Sequence, residues 1–232
     1  MRIGIMQPYY FPYIGFWQLM SAVDRYVVYD DVNFIKGGWI NRNRILLNSE
    51  VKYFNLKLQG ASPNKFINEV AIADDAVYVS KQIKTLESAY KKAPYYSEAM
   101  AIIEKVLLSE ERNLALYLFN HIKTICSHLG ITTEIIFSSQ VEKNPSLNGQ
   151  DKIVDICKVL SGTEYYNAIG GRELYSAEEF ERNGLELKFL KTNDISYKQF
   201  NDVFEPNLSI IDMLMFNTVE DMRLALGEYE LI

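Results

Sequence analysis

The chain has 232 residues, of which 48% are hydrophobic and 23% are charged. This composition is typical of a globular protein with a core, and it excludes the disordered, collagen-like and coiled-coil classes. Two cysteines are too few for a disulfide scaffold. Because neither belongs to a C-x-x-C pair, structural zinc is not expected either.

The charge is unevenly distributed along the chain. The net charge is −6, but residues 1–60 hold seven Lys/Arg against four Asp/Glu, whereas residues 131–232 hold nine against eighteen. Binding to duplex nucleic acid requires many phosphates to be neutralised by basic side chains. We therefore expect no nucleic-acid partner, while a small phosphorylated ligand is compatible with the basic N-terminal segment.

The N-terminal residues do not form the apolar core of a signal peptide, because Gln7 and Pro8 interrupt them. No stretch approaches the roughly 18 apolar residues that a membrane-spanning helix requires. The sequence therefore predicts a cytoplasmic protein without stable membrane insertion.

The first 30 residues predict a strand, a loop, a helix and a second strand. Apolar runs predict strands over 2–6 and 25–29, and apolar residues at helical spacing predict a helix over 15–23. Such a unit folds as a right-handed parallel crossover, and ligands of α/β proteins usually bind at the loop after the first strand. The loop 7–13 is therefore the first candidate for a binding site.

One more strand, a helical stretch, and then alternating strands and helices follow the first 30 residues. We expect strands over 51–58, 134–138, 165–168 and 185–190, and helices over 77–92, 95–108, 110–129, 150–160 and 176–183. This order predicts an α/β fold, with a Rossmann-like or HUP-like mostly parallel sheet and flanking helices. We expect a single domain, 1–232, with a helical insertion at 77–130. Residues 142–149 predict a loop over a site or a lid rather than a domain boundary.

Asp30 and Asp31 follow the second predicted strand, at the edge where α/β proteins bind ligands. One of them could bind a sugar hydroxyl or a metal ion, or accept a proton from an attacking amine; alternatively, both cap the following turn. Lys36, Arg42 and Arg44 could bind a diphosphate, or they could form a solvated basic strand. Trp39 in the same segment favours a binding role.

Two further segments suggest binding. Rings in the loop 7–13 could stack on a sugar or a base, although aromatic clusters also form plain core. The glycine pair after the strand at 165–168 resembles a turn that opens a helix, where free N–H groups favour anions. The binding candidates in these two segments are Gln7, Tyr9, Tyr10, Phe11, Gly170, Gly171 and Tyr175.

Neither the histidines nor the cysteines suggest a reactive centre. His121 and His128 lie seven residues apart on one predicted helix, whereas a metal-binding pair prefers a spacing of four. Cys126 and Cys157 occur among periodic apolar residues and are expected in the core. We expect no metal and no bound cofactor, since no Walker loop, Rossmann fingerprint or Gly-x-Ser-x-Gly motif is present.

Several segments together resemble the WbqC-like protein family. The strongest likeness lies in residues 7–16, 30–36 and 39–45. It continues through residues 89–96, 138–139, 155–158, 170–171 with Tyr175, and 206–212, and so covers essentially the whole chain. Many members of the family have a histidine where this chain has Met6.

The resemblance implies a transferase of bacterial surface-polysaccharide biosynthesis, that is, of O-antigen and lipopolysaccharide. The enzyme would attach an acyl or aminoacyl group to the amine of a nucleotide-linked amino sugar, with a carrier-linked or coenzyme A thioester as co-substrate. An acyl carrier protein is then a possible partner, and its basic landing site would be the segment 36–57 or the lysines of the first long helix. These lysines are Lys81, Lys84, Lys91 and Lys92.

Aminolysis of a thioester requires positioning, oxyanion donors and a group that accepts a proton. We assign proton transfer to Asp30 or Asp31, and the oxyanion to the amides of Asn41 and Asn43 or to N–H groups near residues 170–171. Arg42 would bind the diphosphate with its neighbour Arg44. Two alternatives stay open: a non-catalytic nucleotide-sugar binding or assembly protein, and a nucleotidylyltransferase-like enzyme, although residues 1–60 lack the histidines of that class.

Overall fold

A computed structural model describes residues 1–200 and 202–232 of the chain. The strands are β1 Arg2–Met6, β2 Arg25–Val28, β3 Arg42–Leu47, β4 Glu50–Asn55, β5 Leu58–Gln59, β6 Ala71–Ile72, β7 Glu134–Phe137, β8 Glu164–Ala168, β9 Glu186–Thr192 and β10 Tyr229–Leu231. The α-helices are α1 Ile14–Ala22, α2 Ala76–Tyr90, α3 Tyr96–Leu107, α4 Leu114–Leu129, α5 Gly149–Val159, α6 Ala177–Arg182, α7 Ile210–Phe216 and α8 Val219–Ala225.

Six strands form the main sheet, in the order β10-β9-β8-β1-β2-β7. All neighbours are parallel except β9 and β10, which are antiparallel. Two small antiparallel pairs, β3-β4 and β5-β6, lie outside this sheet. Because β1, β2, β7, β8 and β9 run in the same direction, their carboxyl ends meet at one edge of the sheet.

The sheet separates two apolar layers, as alternation along a strand requires. Ile3 and Ile5 of β1 pack with Ile156 of α5 on one face. Tyr26 and Val28 of β2 pack into the larger core with the helices of the other face. Burial on both faces explains why the central strands are short, almost continuous apolar runs.

Local signals explain where the long helices begin and end. The side chain of Asp75 accepts a hydrogen bond from the Tyr78 amide at the start of α2, and that of Asn113 does the same for Leu116 at the start of α4. α4 ends at Gly130, whose φ of 74° is a left-handed conformation that favours glycine.

The structure confirms the α/β class, the mostly parallel sheet and the helical stretch, which comprises α2, α3 and α4. It corrects two expectations. Lys36, Arg42 and Arg44 do not share one basic strand: β3 begins only at Arg42, and Lys36 lies in the preceding turn, where Gly37 has a left-handed φ of 77°. Gly170 and Gly171 do not open an α-helix but lie within a 3-10 helix, Ile169–Leu174.

Some elements were not foreseen from the sequence. The short pair β5-β6, the helix α8 and the antiparallel strand β10 have too few periodic residues to be recognised. Within residues 1–200 and 202–232, the structure has no helix whose length and apolarity would suit a membrane span.

Candidate functional site

Asp30 links three segments at the carboxyl edge of the sheet. The side chain is buried, and Ser139 donates to it twice, from the amide at 2.9 Å and from the hydroxyl at 2.7 Å. The amide of Asn68 donates a third hydrogen bond at 3.1 Å. Since both carboxylate oxygens are occupied by the fold, Asp30 serves to fix the loops after β2 and β7, which argues against its predicted role as proton acceptor.

Asp31 forms a cluster with two lysines, Lys143 and Lys152, that we call the lysine cluster. Its Oδ2 atom lies 2.8 Å from the ammonium of Lys143 and 3.3 Å from that of Lys152. Lys152 also donates to the Asp31 carbonyl at 3.2 Å, and Lys143 donates to the carbonyl of Ser138. The lysine side chains are only 7% and 13% exposed.

The lysine cluster has more positive than negative charge. Two ammonium groups face one carboxylate, and each ammonium has three donors, of which the fold uses only part. Because an uncompensated buried charge is costly, such a cluster favours an anion as an additional partner.

The surroundings change the acidity of the two residues at the end of β2. Burial acts to raise the pKa of Asp31, but hydrogen bonds from Lys143 and from the Ser138 hydroxyl, together with the charges of Lys143 and Lys152, outweigh it, and the pKa lies below its ordinary value. Burial raises the pKa of Tyr29, and the Asp31 carboxylate adds to this effect. The Lys152 ammonium lies 5.2 Å from the centre of the Tyr29 ring. A carboxylate with a lowered pKa is a weak base, so Asp31 holds the two lysines rather than accepting protons.

Sequence reasoning identified Asp31 and the loop 142–149, but it missed both lysines. Lys143 lies in that loop, and Lys152 lies in the first turn of α5, separated from Asp31 by 121 positions. A lysine close after a predicted parallel strand, or in the first turn of the helix that follows, is the signal that could have identified them.

A network of phenols lies at the end of β8, next to the central strand β1. The amide of Asn167 donates to Tyr165 at 2.6 Å and to Tyr175 at 3.3 Å, and the two phenol oxygens are 3.2 Å apart. A Cβ atom at Gly171 would lie 2.9 Å from the Asn167 Oδ1 atom. Gly171 therefore permits a close approach within this network. Tyr175 lies at the carboxyl edge of the sheet, and so do two other predicted candidates: Gly170, which follows β8, and Gln7, which follows β1.

The loop 7–13 packs differently from the prediction. Tyr10 and Phe11 are fully buried, and Tyr10 stacks on Phe54 with ring centroids 5.8 Å apart. In this position neither ring can stack on a ligand, which corrects the prediction that they form a pocket wall. Tyr9 is partly buried against Phe16, at 5.7 Å between ring centroids.

Asn43 explains why this loop is buried. Its amide donates to the carbonyls of Tyr10 and Phe11 at 3.2 and 2.9 Å, and Phe11 adopts a left-handed φ of 44°. The hydroxyl of Ser209 donates to the Phe11 carbonyl as well, at 2.8 Å. Asn43 thus satisfies buried backbone acceptors and cannot act as the predicted oxyanion donor. The amide of Asn41 donates to the Leu56 carbonyl at 3.1 Å.

The basic residues of 36–47 surround exposed rings on the hairpin β3-β4. Arg42 donates to the carbonyls of Gly37 and Gly38, and its guanidinium lies 4.3 Å from the centre of the Tyr53 ring. Arg44 donates to the Asn207 carbonyl at 3.0 Å and lies 5.9 Å from the Trp39 ring. Lys36 is exposed in the turn before Trp39. No hydrogen bond or ion pair described for residues 1–200 and 202–232 joins these cations to the lysine cluster.

The buried titratable groups do not form a reactive centre. His121 packs on Phe11 at 4.4 Å between ring centroids, and burial lowers its pKa to about 3. Burial raises the pKa of Cys126 and of Cys157 to about 12, so neither thiol is a nucleophile. Among the described residues, no group of three His, Cys, Asp or Glu side chains is placed to hold a metal ion.

The fold and the site define an α/β protein with a positively charged, largely buried cluster at the carboxyl edge of a mostly parallel sheet. The chain belongs to the WbqC-like protein family, whose sequence profile matches residues 7–224. It is similar to a Mycobacterium tuberculosis protein named Uncharacterized protein Rv1507c, with 28% identity over 217 residues, which are 92% of each chain. No solved structure matches the chain significantly.

Proposed function

We propose that the protein is a transferase of bacterial surface-polysaccharide biosynthesis that acts on a nucleotide-linked amino sugar. The observation that carries this proposal is the lysine cluster, where Lys143 and Lys152 face the single carboxylate of Asp31. A nucleotide-linked sugar contains a diphosphate, and ammonium groups with spare donors bind phosphate oxygens as point charges. The diphosphate would supply the negative charge that the cluster lacks.

The strand order supports this location for the ligand. Numbered along the chain, the strands of the main sheet have the order 3-2-1-4-5-6, as in the Rossmann type of doubly wound sheet. In such sheets ligands bind outside the carboxyl ends of the strands, near the point where the order reverses. That point lies between β1 and β8. Asp31 lies close to it, just after β2, which is the other neighbour of β1, and Asn167 at the end of β8 borders it.

The proposed reaction is the transfer of an acyl or aminoacyl group from a thioester. The sugar amine attacks the thioester carbonyl, the C–N bond forms, and the C–S bond breaks. The departing thiolate takes up the proton that the amine loses, so the products are an amide and a free thiol. Such a reaction depends mainly on positioning and on stabilisation of the oxyanion. The protein contributes by holding the amino sugar in position through its diphosphate. We place the reaction in the cytoplasm.

A thermal-shift panel followed by a turnover assay tests the proposal. UDP-, dTDP- and GDP-linked amino sugars are compared with the corresponding hydroxyl sugars, and we expect stabilisation by a nucleotide-linked amino sugar. Lys143→Met should abolish the shift, whereas Lys158→Met, an exposed lysine of the same helix as Lys152, should retain it. Addition of an acyl thioester should then give an N-acylated sugar and an equal amount of free thiol.

The same assay separates the alternatives. A shift without product or thiol release would identify a non-catalytic nucleotide-sugar binding protein. Release of pyrophosphate from a sugar phosphate and a nucleoside triphosphate would identify a nucleotidylyltransferase-like enzyme. Absence of any shift across the panel would rule out the nucleotide-sugar site.

A further inference from the structure

The outer face of the hairpin β3-β4 exposes aromatic and basic side chains together. Trp39 is 39% exposed and Tyr53 is 53% exposed, with ring centroids 6.4 Å apart. The guanidinium of Arg42 lies 4.3 Å from the centre of the Tyr53 ring, and that of Arg44 lies 5.9 Å from the Trp39 ring. With the exposed Ile35 and Lys36, these six residues form what we call the hairpin face.

The charge around the hairpin face is opposite to that of the chain as a whole. Residues 32–66 contain six Lys/Arg, with Glu50 as the single acidic residue, although the net charge of the chain is −6. The carboxylate of Glu50 is already paired with Lys52 at 2.5 Å. The hairpin face therefore attracts an acidic surface and repels a basic one.

The composition of the hairpin face is that of a protein interface. Trp, Tyr and Arg are the residues that contribute most to protein–protein binding, particularly where they lie together. Small ligands instead favour concave pockets that cover most of their surface, whereas the hairpin face comprises Arg42, Arg44 and Tyr53 on one side of the hairpin β3-β4 together with Ile35, Lys36 and Trp39 of the turn before it. The other basic candidates lack this combination: Lys81 and Lys84 lie on the same helix as the exposed Val77, and Lys91 and Lys92 lie beside the single exposed ring of Phe200, whereas the hairpin face pairs two exposed rings with two arginines.

The hairpin face also lies close to the lysine cluster along the chain. Ile35 follows Asp31 by four residues, which span at most about 14 Å even when fully extended. A protein bound to the hairpin face can therefore present a flexible tethered group at the carboxyl edge of the sheet.

We propose that the hairpin face binds an acidic carrier protein, which delivers the acyl group as a thioester on a flexible arm. This inference rests on the proposed function and names its second substrate as a protein-bound thioester rather than free acyl coenzyme A. The sugar amine forms the C–N bond as the C–S bond to the arm breaks, and the carrier leaves as a free thiol that holds the amine proton.

The test is a titration of the protein with a purified, acyl-loaded acidic acyl carrier protein at low salt. Binding is measured by fluorescence anisotropy. Saturable binding should weaken as salt is raised. It should also weaken at least about tenfold in Trp39→Ala and in Lys36→Glu, each of which changes an exposed side chain. The matched control is the double variant Lys81→Ala/Lys84→Ala on α2, which should bind like the parent protein.

Several results would overturn the inference. They are equal affinity of the parent and the hairpin-face variants, an equal loss in the α2 control, tighter binding of an anionic polynucleotide, and self-association through the hairpin face without carrier binding. Efficient transfer from acyl coenzyme A without a carrier would also overturn it. The nucleotide-sugar shift is measured on the same parent protein, so a failure of carrier docking is distinguishable from a failure of the nucleotide-sugar site.

Discussion

Replacing Asp31 with asparagine is expected to lower the free energy of unfolding by about 3 kcal/mol, because it removes the carboxylate that two largely buried ammonium groups share. The same variant should gain more stability from millimolar pyrophosphate than the parent protein gains. An anion that binds the folded state stabilises it by mass action, and the variant cluster lacks the carboxylate that opposes the anion. Urea unfolding with and without pyrophosphate measures both effects.

Asp155→Asn is the matched control for this experiment. Asp155 lies on the same helix as Lys152, but it accepts a hydrogen bond from the Asn144 amide at 2.7 Å and is not an ion-pair partner of either lysine. We expect Asp155→Asn to lose less stability than Asp31→Asn and to be stabilised by pyrophosphate as much as the parent protein is. If Asp31→Asn unfolds at the same urea concentration as the parent, or gains nothing extra from pyrophosphate, the lysine cluster is not the charge-unbalanced site described above.

Acidification is expected to destabilise the protein through His121. The pKa of this residue is about 3 in the folded protein and has an ordinary value of 6.5. The unfolded chain therefore binds a proton below pH 6.5 that the folded protein does not bind, and stability falls as the pH decreases from 6.5 toward 3. Between pH 7.5 and pH 5 the free energy of unfolding should drop by about 2 kcal/mol from this residue alone.

His121→Leu tests this pH dependence. The variant keeps an apolar side chain of similar size against Phe11 and removes the titrating ring, so its loss of stability between pH 7.5 and pH 5 should be about 2 kcal/mol smaller than that of the parent. His128→Leu is the comparison: burial and the nearby Arg223 guanidinium also lower the pKa of His128, but this residue is only partly buried, so its removal should reduce the pH dependence in the same direction and by less than His121→Leu does. A parent and a His121→Leu protein with the same pH dependence would show that His121 is not the group responsible.

Local sequence patterns were sufficient for most of the fold. The apolar runs of β1 and β2 and the helical periodicity of α2 to α4 correspond closely to the observed elements, because burial on one or both faces imposes these patterns directly. The left-handed residues in the turn at Gly37 and in the loop at Phe11 were not predicted. Their conformations depend on hydrogen bonds from residues elsewhere in the chain, such as Asn43.

The candidate site was predictable only in part. Asp31 was identified because residues at the end of a parallel strand meet at the ligand-binding edge. Its partners, Lys143 and Lys152, are brought to it by the crossover from β7 to α5, and such contacts leave no local pattern. The aromatic loop illustrates the opposite error: rings in a proline-containing polar loop suggested a pocket, but Asn43 and Ser209 satisfy the loop carbonyls, so the rings of Tyr10 and Phe11 can be buried.

The most direct test of the central claim is a calorimetric titration of the parent protein, Lys143→Met and Lys158→Met with a nucleoside diphosphate and with pyrophosphate. We expect both ligands to bind the parent, and Lys143→Met to weaken the binding of both at least about tenfold, equivalent to about 1.4 kcal/mol. Lys158→Met should match the parent. Failure of both ligands to bind the parent, or equal affinities in the two variants, would contradict a diphosphate site at Lys143 and Lys152.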